Sequence, residues 1–319
     1  MSIKIQFKKA WALIDKSENI FLTTHEGTDG DDLGSLLALR RVLVKEGKRV
    51  SAGVRGGVPS SLLFLSGSEH VQDGFVPGQY DLVVTFGCNK MERTGTAELS
   101  RWPGNVINFD HHPDNTNFGT VNVIDPAASA VAELVYHFIK YREFSIDKDI
   151  ATCLLTGIFS DTGGFKHANT TAEALEVSAE LLKKGARIDK ISIQLVGKKR
   201  PSTIKAWARA LENTRFDSDK RMVFSVLTEE DLKEAGATDE DLDGFVELLN
   251  NIPQAKFALL LRQDGDIVKG SLRSEPHKGV DVSRIAQSFG GGGHKLASGF
   301  KIKGRLVKKG DVWNIDKSD

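Results

Sequence analysis

Residues 19–45 read NIFLTTHEGTDGDDLGSLLALRRVLVK. The first six residues are mostly apolar or β-branched and predict a short buried strand. From Leu33 to Lys45, leucine and valine recur at helical spacing, which predicts a helix after the strand. The loop between them is polar. A buried strand followed by a polar loop and a helix is typical of a parallel α/β sheet, so the segment predicts that fold class.

The same alternation continues through the first part of the chain. Further short apolar strands are predicted at Arg49–Val54, Asp81–Phe86 and Asn105–Phe109. Helical spacing of apolar residues predicts helices at residues 127–142, 149–159, 171–184 and 188–196. Short apolar strands alternating with helices predict a parallel sheet that is covered on both faces.

The pattern changes after about residue 186. Strands are predicted at Met222–Leu227, Lys256–Arg262, Ile267–Leu272 and Gly299–Ile302, with acidic helices between residues 229 and 249. We therefore expect a larger α/β domain over residues 1–190, a helical linker over 191–215 and a smaller α+β domain over 216–319.

The composition is that of a globular chain. Of 319 residues, 40% are hydrophobic and 27% charged, which excludes a disordered or collagen-like protein. With 43 basic and 43 acidic residues the formal net charge is zero, which argues against coating long nucleic acids by bulk electrostatics. The two cysteines cannot form a disulfide framework, and no apolar run approaches the ~18 residues of a membrane span. We therefore expect a cytoplasmic protein without a membrane partner.

Histidines and aspartates follow several of the predicted elements. In an open α/β sheet, ligands bind beyond the carboxyl ends of the strands. Such polar loops follow the strands at 19–24 and 105–109, and another follows the helix at 149–159. We expect six of their side chains to converge at one edge of the sheet: His25, Asp29, Asp31, His111, His112 and Asp161.

This set of side chains is typical of a divalent-metal site. A mixed shell of carboxylates and imidazoles suits Mn²⁺, Fe²⁺ or Mg²⁺ better than structural zinc, which favours thiolates. Two such ions about 4 Å apart would activate a water molecule and hold a phosphate oxygen. The alternative interpretation is that Asp29 and Asp31 are turn and helix-capping residues, and that Asp110-His111-His112 is a solvated turn.

A second group of polar residues lies near the end of the chain. Four consecutive glycines, Gly290–Gly293, would let backbone N–H groups approach an anion closely, and His294 and Lys295 add side-chain donors. Upstream, Arg273 ends a predicted strand and could bind a phosphate through two N–H groups. The alternatives are a flexible hairpin for the glycine run and an ordinary surface cation for Arg273.

These motifs resemble those of the DHH phosphoesterase family with an appended DHHA1 domain. The family is named for Asp-His-His, which stands here at Asp110-His111-His112. Its first motif, His-x-x-Pro-Asp-x-Asp-Ala-x-Gly-Ser, is matched at residues 25–35, except that Thr28 replaces Pro and Asp32 replaces Ala. The remaining matches are Asp161-Thr162-Gly163 and Asn169-Thr170 for the fourth motif, and Gly291–His294 and Ala297–Gly299 for the DHHA1 signature.

The resemblance implies a two-domain enzyme with its active site in the cleft between the domains. It implies that His25 and Asp29 bind one metal ion, whereas Asp31, His111 and Asp161 bind the other. Asp110 would orient a histidine from behind it, and His112 would contact the phosphate or protonate the leaving oxygen. The substrate's nucleotide or terminal phosphate would be held by Arg273, Gly292, Gly293 and His294.

The second motif departs from the family. There the family has an aspartate directly after the third predicted strand, and that carboxylate bridges the two metals. Here the strand is followed by Gly87 and Cys88. Three interpretations remain open: Cys88 supplies a thiolate and favours a softer metal such as Fe²⁺ or Zn²⁺, the site holds one tight ion and recruits a second with substrate, or hydrolysis is lost and nucleotide binding is kept.

The resemblance and the length together predict a metal-dependent phosphoesterase, most simply with two Mn²⁺ ions. Compact members of the family degrade short oligonucleotides (nanoRNA) and remove the 3′-phosphate of adenosine 3′,5′-bisphosphate. The expected partners are therefore short RNA or DNA oligonucleotides or small phosphorylated nucleotides. Two alternatives are a non-hydrolytic nucleotide-binding derivative and a RecJ-like single-strand DNA exonuclease. The sequence leaves the oligomeric state open, including a homodimer.

Overall fold

The computed structural model describes residues 2–197, 200–310 and 312–316. They form two compact units, Met1–Lys198 and Lys199–Asp319. This division lies later than the expected end of the first domain at residue 190. Most of the expected linker at 191–215 is helical, and its part from Pro201 onwards packs into the core of the second unit.

The first unit alternates strands and helices. Its strands are β1 (Asn19–Thr24), β2 (Arg49–Val54), β3 (Val71–Asp73), β4 (Leu82–Phe86), β5 (Asn105–Asp110) and β6 (Val121–Ile124). Its helices are α1 (Ile3–Lys16), α2 (Gly30–Lys45), α3 (Ala97–Ser100), α4 (Val131–Tyr141), α5 (Lys148–Asp161), α6 (Ala172–Lys183) and α7 (Ile188–Ser192), followed by a π-helical turn, Ile193–Gly197. Short 3-10 turns lie at Ser60–Leu62, Ser68–His70 and Met91–Thr94.

All neighbouring strands of the first sheet are parallel, in the order β3-β2-β1-β4-β5-β6. The predicted parallel α/β architecture is therefore confirmed. From β1 the chain first builds outward to β3 and then returns to place β4 on the other side of β1. This reversal creates a crevice at the carboxyl ends of β1 and β4, which is where open α/β sheets bind their ligands.

Helix α2 packs against α5 at very short range. A Cβ atom at Gly34 would lie 2.3 Å from the carbonyl oxygen of Cys153, so only glycine permits this approach. Both helices begin at an aspartate whose side chain accepts backbone N–H groups of the first turn, Asp29 for α2 and Asp147 for α5. The close packing fixes the N-terminus of α2 beside the C-terminus of α5.

The second unit contains a mixed, mostly antiparallel sheet in the order β11-β12-β10-β9-β8-β7, with β8 parallel to β9. The predicted smaller α+β domain is thus confirmed. Its strands are β7 (Arg215–Asp217), β8 (Met222–Leu227), β9 (Phe257–Asp264), β10 (Ile267–Ser274), β11 (Gly292–His294) and β12 (Ala297–Lys303), and a separate hairpin is formed by β13 (Arg305–Lys309) and β14 (Val312–Asp316). Its helices are α8 (Pro201–Glu212), α9 (Glu229–Ala235), α10 (Phe245–Asn250) and α11 (Val282–Ser288), with 3-10 turns at Asp239–Leu242 and Pro276–Lys278.

Two hydrophobic clusters lie on the two faces of this second sheet. Helices α8, α9 and α10 pack with Ala258 and Leu260 of β9. Helix α11 packs with Leu272 of β10 and Phe300 of β12. Cross-strand partners lie on the same face of a sheet. Arg273 is paired with Ala258, so its side chain lies on the face that α8, α9 and α10 cover. Across the described part of the chain, no helix is long and apolar enough to cross a bilayer.

Candidate metal centre

The crevice of the first sheet collects the histidines and aspartates singled out from the sequence. His25 and Asp29 lie in the loop after β1, and Asp31 lies in the first turn of α2. Asp110 is the last residue of β5 and is followed by His111 and His112, while Asp161 ends α5. Two groups of ligand atoms form here, each with all its atoms within 4.8 Å of one another: His25, Asp29 and Asp32, and Asp31, His111 and Asp161.

The first group is arranged around His25. Its Nδ1 lies 2.8 Å from the Glu26 carbonyl oxygen, and its Nε2 lies 2.9 Å from Oδ2 of Asp32. Asp29 uses Oδ1 to accept the N–H groups of Asp31 and Asp32 at 2.9 and 3.1 Å. The backbone therefore holds both the imidazole and one carboxylate of this group in place, as is typical of ligands that are oriented by hydrogen bonds from behind.

The second group is held by the starts and ends of helices. Both carboxylate oxygens of Asp31 accept backbone N–H groups from the first turn of α4, at 2.6 Å from Val131 and 2.8 Å from Ala132. Nδ1 of His111 lies 3.1 Å from the Ala128 carbonyl oxygen, which directs Nε2 toward Oδ2 of Asp161 at 3.8 Å. This arrangement leaves imidazole and carboxylate atoms of three elements facing a common point.

The carboxylates of the two groups crowd one another. Burial, together with the charges of Asp161 and Asp32, raises the pKa of Asp31 well above its usual range. Burial and the charge of Asp29 raise the pKa of Asp32 to about 6, although the hydrogen bond to His25 opposes the rise. Burial likewise raises the pKa of Asp161, against the opposing effect of His111. Each shift reports chiefly the cost of burying a carboxylate charge, to which the neighbouring carboxylates add.

A divalent cation fits this donor set. Carboxylates whose pKa values are raised by burial and then by one another are stabilised in the ionised form by a metal ion. The donors are carboxylate oxygens and imidazole nitrogens, which suit Mn²⁺, Mg²⁺ or Fe²⁺. The structure separates the residues into the two groups that the family resemblance implied, and it adds Asp32 to the first. Their roles in metal binding stay a prediction.

Asp110 and His112 form a separate hydrogen-bonded unit. Oδ1 of Asp110 accepts the N–H groups of His111 and His112 at 2.8 and 3.2 Å and lies 2.6 Å from Nδ1 of His112. Asn115 donates to Oδ2 of the same carboxylate. Burial would raise the pKa of Asp110, but the hydrogen bonds from His112 and Asn115 outweigh it, so the pKa is lowered. An ionised Asp110 fixes the ring of His112, whose own pKa is raised chiefly by that hydrogen bond.

Cys88 lies outside both groups of ligand atoms. Its side chain is completely buried, and its thiol donates to the carbonyl oxygen of Phe86 at 3.5 Å. Burial, and then the charge of Asp32, raises the pKa of the thiol well above its usual range. The thiol is therefore directed at the Phe86 carbonyl, away from both groups of ligand atoms, and a role for Cys88 as a metal ligand stays a prediction.

In the second unit, the residues expected to hold substrate share one row of the sheet. Arg273 of β10 lies opposite Ala297 of β12, which lies opposite His294 of β11. Their side chains therefore leave the same face, about 10 Å apart across two strand spacings. Gly292 and Gly293 belong to the short, exposed strand β11, so the glycine run is ordered as one arm of a hairpin.

Sequence reasoning missed several residues that shape these sites. Asp32 was seen only as a departure from the first motif, and it is now a member of the first donor group. Asn169 donates to Oδ2 of Asp161 at 3.0 Å, and Glu247 accepts from Nε of Arg273 at 2.7 Å. The Asn169-Thr170 motif was a usable signal for the first of these contacts. No local signal marks Glu247, because it lies on α10, far from Arg273 in sequence.

Sequence profiles identify the same two domains. The profile of the DHH family N-terminal domain matches residues 19–158, and that of the DHHA1 domain matches residues 219–312. The resemblance inferred from the motifs is thereby confirmed, in the expected order along the chain. The profile matches lie within the expected domains 1–190 and 216–319.

Known proteins resemble this chain in sequence and in structure. The chain is 36% identical over 287 residues to the bifunctional oligoribonuclease and PAP phosphatase NrnA of Thermus thermophilus, an alignment covering 89% of this chain and 84% of the relative. An exopolyphosphatase-related protein from Bacteroides fragilis has a similar structure, with a TM-score of 0.88 and 26% identity, covering 94% of this chain and 92% of that one. RecJ of Thermus thermophilus, solved with Mn²⁺, gives a TM-score of 0.55 at 14% identity, and only 52% of its length is covered.

Proposed function

The chain belongs to the DHH phosphoesterase family of hydrolases, and on that premise we propose that it hydrolyses short oligonucleotides and the 3′-phosphate of adenosine 3′,5′-bisphosphate. The relative named as an oligoribonuclease and PAP phosphatase supports this substrate class, because the two chains match over nearly their whole lengths. RecJ is similar over only about half of its length, so a long-strand exonuclease is less well supported.

The observation that carries the proposal is the pair of donor groups at the crevice of the first sheet. Two adjacent divalent ions would polarise the phosphate and lower the pKa of a bound water, which is the chemistry that phosphoester hydrolysis requires. We propose Mn²⁺ for both positions. His25 and Asp29 would hold one ion, and Asp31, His111 and Asp161 the other. Backbone hydrogen bonds keep these side chains oriented before the substrate arrives.

His112 would act on the leaving group. Its Nδ1 lies against the ionised Asp110, so Nε2 is the ring nitrogen that would meet the substrate. Protonated His112 would donate the Nε2 proton to the leaving oxygen as the phosphorus–oxygen bond breaks, or would bind a phosphate oxygen. Asp110 is then a positioning residue, since it fixes the ring and favours its protonated form.

Residues of the second unit would hold the remainder of the substrate. The guanidinium of Arg273 would bind a terminal phosphate, while Glu247 accepts the hydrogen bond from Nε and so orients the guanidinium. His294 and the backbone of Gly292 and Gly293 would complete this part of the site. Zero net charge is consistent with a short substrate that is bound by such local contacts.

The experiment is hydrolysis of a labelled RNA dinucleotide and of adenosine 3′,5′-bisphosphate by the purified chain with Mn²⁺. We expect mononucleotides from the first and free phosphate from the second, and neither after chelation. Failure to release product from both substrates contradicts the proposal. Calorimetric binding of the same ligands without turnover would instead indicate the non-hydrolytic derivative, and processive degradation of long single-stranded DNA would indicate the RecJ-like alternative. A cytoplasmic location and a homodimer stay predictions, and light scattering would check the latter.

A further inference from the structure

The end of strand β4 has a carboxylate beside it, although the strand does not supply one. A Cβ atom built at Gly87 would lie 2.0 and 2.2 Å from the two carboxylate oxygens of Asp32 and 2.3 Å from its Cγ. The side chain of Asp32, which projects from the first turn of α2, therefore fills the space that any side chain at Gly87 would need. Residues 32 and 87 compete for one position in the crevice.

The carboxylate at that position lies among ligand atoms. Asp32 is almost fully buried, its Oδ2 is 2.9 Å from Nε2 of His25, and it forms a group with His25 and Asp29 whose ligand atoms lie within 4.8 Å of one another. A buried carboxylate beside a second carboxylate, Asp29, is costly unless a cation lies between them. The surroundings of Asp32 therefore suit a metal ligand better than a structural aspartate.

The turn after β4 is fixed by other contacts and does not need a side chain at Gly87. The Gly87 N–H donates to the carbonyl oxygen of Phe109 at 2.9 Å. The Cys88 carbonyl oxygen accepts from the side-chain amides of Asn108 and Asn115, each at 3.0 Å. Gly87 has φ +63°, in the left-handed region that glycine adopts at no cost. The backbone thus leaves room for the carboxylate of Asp32.

We propose that Asp32 is a metal ligand and that it supplies, from helix α2, the carboxylate that strand β4 lacks. The two departures from the family motifs, Asp32 for alanine and Gly87 for aspartate, are then one exchange: the carboxylate has moved from one side of the crevice to the other. This inference rests on the proposed metal-dependent function. It replaces the interpretation that Cys88 supplies a thiolate ligand. It also replaces the assumption that the site lacks the charge of the family's bridging carboxylate.

The test is metal binding by chelator-treated protein, measured as bound Mn²⁺ per chain and as affinity by calorimetry, without substrate. Asp32→Asn keeps the shape of the side chain and removes the charge. We expect it to weaken Mn²⁺ binding at least about 100-fold, since even the outer partners of metal ligands contribute about 10–100-fold. The control Asp114→Ala, an exposed aspartate near the site that lies in neither group, should bind as the unchanged protein does.

The exchange itself is tested by moving the carboxylate back. Gly87→Asp alone should lower Tm and metal affinity, because its side chain collides with Asp32. The double variant Asp32→Ala/Gly87→Asp should bind Mn²⁺ more tightly than Asp32→Ala, because it restores a carboxylate. We expect a gain of at least about tenfold, since even the outer partners of metal ligands contribute that much to affinity. Aspartate is among the side chains that best tolerate a positive φ.

The outcomes separate the inference from the proposed function. Normal Mn²⁺ binding by Asp32→Asn, or a folded double variant no better than Asp32→Ala, would overturn the inference. If the Gly87 variants do not fold, Mn²⁺ binding by Asp32→Asn alone decides whether Asp32 is a metal ligand. Tight Mn²⁺ binding that Asp32→Asn abolishes, without hydrolysis of either substrate, would contradict the proposed function and leave the inference standing.

Discussion

The two units present their polar residues in opposite ways. In the first unit most of the ligand residues are buried or half-buried and Asp29 is the exposed one: the side chains of His25 and Asp32 are 12% and 5% exposed, and Asp29 and Asp31 accept two backbone N–H groups each. In the second unit Arg273 and its partner Glu247 are 31% and 44% exposed, and the glycine run forms an exposed edge strand. The first arrangement holds two of its carboxylates through backbone hydrogen bonds, whereas in the second the partner of Arg273 is a partly exposed side chain.

The difference matches the demands of the two tasks proposed for the units. A centre that polarises a phosphate needs donors whose positions do not change, because misplacement of a reacting group is costly. The proposed task of the second unit is to hold the rest of a nucleotide, and partly exposed side chains such as Arg273 can accept ligands of different length. The comparison predicts that changes in the first unit act on the rate, whereas changes in the second act on substrate affinity.

The largest effect is expected at His111. His111→Ala removes one ligand of the second group and should lower kcat by about a thousandfold or more, because bound metal contributes several kcal/mol to the transition state. Bound Mn²⁺ should fall as well. His70→Ala is the control, since that histidine is exposed beside Glu69 and belongs to neither group. Retention of full activity by His111→Ala would show that the site is assigned to the wrong residues.

A smaller effect on a different quantity is expected at Arg273. Arg273→Ala should raise KM for a phosphorylated dinucleotide by about 10–100-fold, the value of one charge-assisted contact, and leave bound Mn²⁺ unchanged. Arg284→Ala is the matched control, because Arg284 is a highly exposed arginine of the same unit that is 3.8 Å from Asp281. Loss of Mn²⁺ in Arg273→Ala, or an unchanged KM, would contradict the prediction that the second unit acts on substrate affinity and not on the metal centre.

The smallest effect on activity is expected at Asp147, which supports the scaffold. Its carboxylate accepts the N–H groups of Asp149 and Ile150 at the start of α5 and contacts Arg41 and Lys45 of α2. Asp147→Ala should lower the free energy of unfolding by about 1–2 kcal/mol, the value of a helix cap, without changing kcat. Denaturant unfolding measures the change.

The pH dependence of that change has a defined sign. Burial would raise the pKa of Asp147, but its hydrogen bonds and the nearby cations outweigh burial and lower it. A carboxyl with a lowered pKa in the folded state stabilises above its unfolded pKa of about 4 and loses that contribution as the pH falls. The difference between Asp147→Ala and the unchanged protein should therefore be full at pH 7 and shrink below about pH 4. Asp149→Ala, which removes a second partner of Arg41 but no cap, should show a smaller difference at both pH values.

Much of the fold followed from local sequence patterns. The strands at 19–24, 49–54 and 222–227 were placed at their observed bounds, because each contains several apolar or β-branched residues and is flanked by polar or glycine-containing segments. The edge strands β3 and β6 were not predicted, since three or four residues of mixed polarity give little pattern. Helix α1 was also missed, although Phe7, Trp11 and Ile14 have helical spacing and are buried. Its docking site depends on Phe138, whose ring stacks on Trp11 at 4.4 Å.

The sequence by itself determined the alternation of strands and helices, and hence a parallel sheet with histidines and aspartates beyond its strand ends. It also displayed both departures, Asp32 and Gly87, but not their connection. Only the tertiary structure decided that these two residues share one position, because the distance between them depends on how closely α2 approaches the end of β4. That approach is set by packing contacts such as Gly34 against Cys153, and Cys153 lies outside both motifs.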